Sequence, residues 1–248
     1  MSIAKAYTRE LREQTGYSAT WWPHVPVALG DVGRLHKNEW ARMTTLEALG
    51  IPFTLDEGPA ADISYASKEA VKVQAGATGN TTGVSGPAGR VEGTLHIEFN
   101  REGAVVIETA GTRSRRMKDI DAVGRKIIER FHAGNWDPDY VVVTEVLAVA
   151  SGVVLVSSSR GGSVDLAATG DVAPALGSLA KLGANLKLAS EESIGVKIIG
   201  GEPLTPLFKA FRVNDRWFGN TSFESTRSMT GDSEDPLVPT DYDDFGDE

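Results

Sequence analysis

A β-branched run behind a tight turn constrains this chain more than any other feature. Residues 136–159 read WDPDYVVVTEVLAVASGVVLVSSS. Asp137-Pro138-Asp139 is a turn signal, because proline fixes φ and aspartate bonds its own backbone. Tyr140 to Thr144 then form a strand too continuously apolar to have a wet face. After a break at Ala150-Ser151-Gly152, Val153 to Val156 form a second strand. Upstream, the spacing of Ile120, Val123, Ile127, Ile128 and Phe131 predicts a helix over Met117–Ala133, stopped by Gly134. The centre therefore reads as helix, turn, buried strand, exposed strand.

The flanks carry a different period. Val71, Val73, Ala75 and Ala77 alternate with polar or small residues, as do Val91 to Phe99, Val164 to Ala168 and Leu182 to Leu188. Such alternation predicts strands with one apolar and one polar face. A Gly/Ser/Thr-rich tract spans 76–89, and a Gly/Ala/Pro/Leu connection with a short helix spans 170–181. Ile194–Ile199 and Leu207–Val213 add two strands, and 25–55 mixes short strands with turns. At the start, Ser2–Gln14 predicts an amphipathic helix with Ile3, Ala4, Tyr7 and Leu11 on one side and Lys5, Arg9 and Arg12 off it. That helix either docks on a core or lies on an anionic membrane surface. The expected fold class is α+β, with a twisted, mainly antiparallel central sheet flanked by helices.

Charge divides the 248 residues unevenly. The net charge is −9, yet 229–248 alone holds eight acidic residues and no lysine or arginine, leaving 1–228 at −1. A global basic face for nucleic acid is thereby excluded. The acidic segment reads either as a solubilising tail or as one that covers something, since it also carries Leu237, Val238, Tyr242 and Phe245. Arg113, Arg115, Arg116 and Lys118 form a compact basic cluster, read as a solvated helix entrance or as a contact for anionic headgroups. Cysteine is absent, which removes disulfides and thiolate sites and suits a cytoplasmic protein. No segment approaches the ~20 apolar residues of a membrane helix.

Constellations for chemistry are sparse. The histidines, His24, His36, His96 and His132, lack metal-ligand spacing, and His132 suits a helix C-terminus. Gly30-Asp31-Val32-Gly33 lacks the Gly-Lys-Ser/Thr of a phosphate loop. Glu145 is the odd carboxylate inside an apolar strand, and a cation such as Arg212 is its expected partner. No catalytic residue, cofactor or metal site is predicted. A hydrolase built on Glu145 or Asp31 is a third reading, and a soluble small-ligand or protein-binding module using the loop 76–89 is the second.

The strand Tyr140-Val141-Val142-Val143-Thr144-Glu145-Val146-Leu147, following a helix, is similar to the VVTEVL strand of the gasdermin family. Leu186–Ser193 and then Ile198–Val213, closing on Lys209-Ala210-Phe211-Arg212-Val213, resemble that family's late strands and AFRV ending. The basic amphipathic N-terminal helix also fits. The resemblance implies a gasdermin N-terminal-domain-like pore-forming domain over 1–213 and an acidic C-terminal inhibitory segment over 214–248, as in the short bacterial form. It implies removal of that segment by a caspase-like or related protease, with Arg227 a candidate cleavage site and 214–226 or Leu237 as alternatives. Large homo-oligomers would then form a β-barrel in the inner membrane, with hairpins from 61–110 and 153–199. Lys5, Arg9, Arg12, Arg113, Arg115, Arg116 and Lys118 would contact anionic lipid. Bacterial members carry a palmitoylated N-terminal cysteine, whereas this chain begins Met1-Ser2-Ile3, so acyl-assisted insertion is not implied.

Overall fold

The computed structural model describes residues 2–36, 39–77, 93–168, 179–182, 186–200, 204–214 and 222–225. In chain order the elements are α1 (Ile3–Thr15), β1 (Ser18–Ala19), β2 (Asp31–His36), β3 (Glu39–Thr45), β4 (Leu55–Ala60), β5 (Ser64–Ala66), β6 (Val71–Ala77) and β7 (Gly93–Phe99). They continue with β8 (Val105–Ala110), β9 (Arg113–Met117), α2 (Ile120–His132), β10 (Val141–Val149), β11 (Ser151–Ser157) and β12 (Gly162–Ala168). The last are α3 (Leu179–Leu182), β13 (Leu186–Glu192), β14 (Ile194–Gly200), β15 (Leu204–Asn214) and β16 (Ser222–Ser225). The fold is thus mainly antiparallel sheet with few helices. This agrees with the expected α+β class built on antiparallel sheet; among the described residues the strands fall into three sheets, since strand periodicity does not specify which sheet a strand joins.

The chain divides into two compact units, each assembled from separated segments. One, drawn from 8–59, 113–148 and 205–248, holds an eight-stranded sheet ordered β1-β15-β10-β2-β3, with β9 and β4 continuing from β10 and β16 from β15. Strand β10 lies inside this sheet and is buried on both faces. Val142 packs with Val123 and Ile127 of α2, while Val141 and Val143 pack with Trp40 and Phe208 on the other side. That two-sided burial explains the unbroken apolar run, each fully buried valine contributing about 1.5–3 kcal/mol. The preceding turn is present: the Asp139 N–H donates to Asp137 Oδ1 at 2.9 Å, and Tyr140 N–H to the Asp137 carbonyl at 3.1 Å. Helix α2 starts three residues later than predicted, and Gly134 ends it at φ +72°.

The second unit, drawn from 1–7, 60–112 and 149–204, is a β-sandwich. Sheet II, ordered β14-β11-β8-β5, faces sheet III, ordered β13-β12-β7-β6. Leu95, Ile97 and Phe99 of β7 meet Val106 of β8 and Leu155 of β11 in one core. Alternation is visible in β7, where Thr94, His96 and Glu98 are less buried than their neighbours. Strand β11 corrects the expectation of an exposed strand. It is paired on one side with β8 and on the other with β14, with α3 packed against it, so Gly152 to Ser157 are all buried. Nor do β10 and β11 pair with each other; they belong to different sheets.

Candidate functional site

The basic residues singled out in the sequence fall on two elements. Helix α1 forms as expected, and Tyr7 and Leu11 on its apolar face are fully buried. Its first turn is fitted closely: a Cβ on Gly103 would sit 2.6 Å from the Ala6 Cβ, and one on Gly195 3.0 Å from Ile3. The helix therefore docks, and its apolar side is not presented outward. Arg9 is exposed and ion-paired with Glu13 at 3.9 Å, while Lys5 and Arg12 are half-buried.

The second element overturns the expected helix entrance. Arg113 to Met117 form strand β9, not a helix turn. Strand β9 pairs with β10 so that Glu145 lies opposite Arg116 and Leu147 opposite Ser114. It also pairs with β4, whose acids take up its cations. Arg115 Nε bonds Glu57 Oε1 at 3.1 Å, Arg113 approaches Glu57 Oε2 at 3.9 Å, and Arg116 NH2 meets Asp56 Oδ2 at 2.6 Å. All three arginine side chains keep half or more of their surface exposed while paired. Lys118 follows the strand, exposed, its N–H donating to the Thr54 carbonyl at 3.0 Å. So the structure brings together Arg113, Arg115, Arg116 and Lys118. Arg227 and the acidic segment 229–248 lie outside the described residues.

Glu145 is the hub beside this strand. Its carboxylate accepts Tyr17 OH at 2.6 Å, Ser114 Oγ at 2.8 Å and Lys209 Nζ at 2.8 Å. Burial alone would push its pKa up, but the hydrogen bonds from Lys209, Tyr17 and Ser114 together outweigh that and hold it below the usual carboxylate range. Lys209 also sits 4.3 Å over the Tyr17 ring, a cation–π contact. The expected partner Arg212 gives way to Lys209. These residues lie three apart on β15, and in a strand that places them on opposite faces. The clasp ties the segment after α1 to β9, β10 and β15. Both carboxylate oxygens are engaged as acceptors, so the group acts as a structural tie between these elements.

Two further arrangements were not legible in the sequence. His96 Nδ1 lies 2.6 Å from Asp165 Oδ1, and Ser190 donates to the other oxygen, a polar ladder across sheet III. Those two hydrogen bonds, Ser190 first, hold the Asp165 carboxyl low. No group of three or more potential metal ligands occurs among the described residues. In the C-terminal segment, Ser222–Ser225 form β16 on the edge of β15, with Phe223 opposite Val213. The Phe223 ring lies tilted against that of Phe211, centroids 5.4 Å apart, and a Cβ on Gly124 of α2 would lie 3.0 Å from the Phe223 ring. The gap left by that glycine seats the phenylalanine. No protein-family model and no curated protein matches the chain.

Neutralising the acids opposite β9 has a defined expectation. Asp56→Asn with Glu57→Gln frees three exposed arginines, and binding to vesicles containing anionic lipid is expected to strengthen by about 1 kcal/mol for each cation reaching the surface. Sedimentation with vesicles checks this, and unchanged binding in low salt would argue against the strand as a lipid contact.

Proposed function

We propose that this chain is a pore-forming protein held inactive by its C-terminal segment. A protease removes the segment, and the remainder oligomerises into a β-barrel in an anionic membrane, by analogy the inner membrane of its own cell. The reading rests on one observation above others: the C-terminal segment begins with a strand that closes the β15 edge and seats Phe223 on α2. A strand added to an edge covers backbone groups that would otherwise pair with another chain. Sheet III adds support. Its hairpins alternate apolar Leu95, Ile97 and Phe99 with polar Thr94, His96 and Glu98, the dyad a barrel wall requires, while Val73 and Leu188 stay partly exposed at its edges. Among the described residues no helix is long and apolar enough to cross a membrane; on this reading the strands cross it, and a closed barrel satisfies their backbone in lipid.

The position of the cut becomes specific on this reading. Cleavage after Arg227 leaves Ser222–Ser225 attached to β15, whereas cleavage within 215–221 severs β16 from it. Dye release from anionic liposomes is therefore expected to be greater for the second cut. Tight liposomes after both cuts would favour a binding module instead.

A further inference from the structure

A carboxyl group lies where sheet II faces its core. Glu108 is 2 % exposed. Within β8 it shares a face with Val106, which like Ala104 just before the strand belongs to the sandwich core. Cross-strand register places Ser64 of β5 on one side of it and Val153 of β11 on the other. Its hydrogen bond among the described residues comes from Ser64 Oγ, at 2.6 Å. A buried carboxylate normally gathers two or three donors or a cation, and one hydroxyl does not replace its lost hydration.

The charged groups around it are engaged elsewhere. Lys197 of β14 is on the same face one row away and is paired with Glu191 of β13. Lys181 of α3 is exposed, and the Asp62 carboxylate accepts the Thr112 N–H at 3.2 Å. Among the described residues, the facing strands β7 and β12 contribute Leu95, Ile97, Phe99, Val164 and Leu166 to this core.

We propose that Glu108 is a proton-operated latch: while protonated its carboxyl stays buried beneath the β5 edge, and loss of the proton leaves a buried charge that the single Ser64 donor does not solvate, so that edge loosens to admit water. Strand β5 is the element able to yield. It is three residues long and terminates sheet II, whereas β11 on the other side is held between β8 and β14. Burial pushes the Glu108 pKa up to about 7, only partly opposed by the Ser64 hydrogen bond. The sign follows from linkage. A raised folded-state pKa gives stability that is fully present below the ordinary value of 4.5 and is lost as pH rises through about 7. The inference does not depend on the pore reading.

The test uses the full chain and Glu108→Gln. From pH 5 to pH 8, the folding equilibrium of the natural chain is expected to weaken relative to the variant by on the order of 100-fold. Amides of Ser64–Ala66 should lose hydrogen-exchange protection over the same interval in the natural chain only. Where the variant does not fold, carbon NMR titration of the glutamate carboxyls in the natural chain decides alone. One resonance titrating near neutrality upholds the latch. All glutamates titrating near their ordinary value, with β5 protection independent of pH beyond intrinsic exchange, overturns it.

Discussion

Gly33→Ala is expected to cost about 3 kcal/mol or more, lowering Tm by roughly 6–12 °C in a chain of this size. A Cβ there would stand well inside van der Waals contact of the Ala41 backbone carbonyl, and 2.8 Å from the Trp40 ring. Neither can retreat. Ala41 is register-paired in β3, and Trp40 is packed beside Val27, Val141 and Phe208. The ladder already shifts by one residue between Val32 and Gly33. Gly161→Ala is the control: its φ is +83° but nothing lies within 4 Å of the added carbon. It should lose only the left-handed backbone cost, about 1 kcal/mol. Equal losses at the two positions would show that the close approach at Gly33 is not a constraint.

Glu145→Ala is expected to destabilise by about 2–4 kcal/mol, because it strands Lys209, Tyr17 and Ser114 in a half-buried site. The lysine keeps a third of its side chain in water, which places the loss below that of a fully buried pair. Glu145→Gln retains the shape without the charge and should lose about half as much. Adding Lys209→Met to Glu145→Ala should recover part of the loss, a coupling that a double-mutant cycle measures. The pH dependence has its own direction. A carboxyl held below its ordinary range gives stability that is present above that range and is lost as pH falls through the folded-state value. The gap between natural chain and Glu145→Gln should thus close in acid, while the Glu108 gap opens toward neutral pH. A gap unchanged down to pH 3 would mean that the clasp is not held as a charged group.

Local features of the sequence proved the most legible. The helices α1 and α2 and the strands β7, β10 and β12 follow from periodicity, since burial of one or both faces writes itself into residue spacing. Gly30 and Gly33, noted in sequence only as falling short of a phosphate loop, turn out to admit Phe53 and Trp40 against the backbone. What spacing cannot carry is partnership. Arg113–Met117 looks like a basic helix entrance until Asp56 and Glu57, nearly sixty residues away, pair with it as the neighbouring strand. Lys209 rather than Arg212 meets Glu145 because the register of β15 selects a face. Glu108 interrupts an apolar strand in sequence, but its burial depends on β5 and α3, which are short and weakly patterned. Phe223 belonged to a stretch read as tail, and only the cavity over Gly124 explains its place.

The measurement that bears most directly on the pore reading is dye release from anionic liposomes, with protease sites engineered separately within 215–221 and after Arg227. The intact chain is expected to leave the vesicles tight, the cut after Arg227 to release little while β16 remains attached, and the cut within 215–221 to release the dye as large oligomers form. Vesicles that stay tight after both cuts, with the cleaved chain still monomeric and soluble, would contradict the reading.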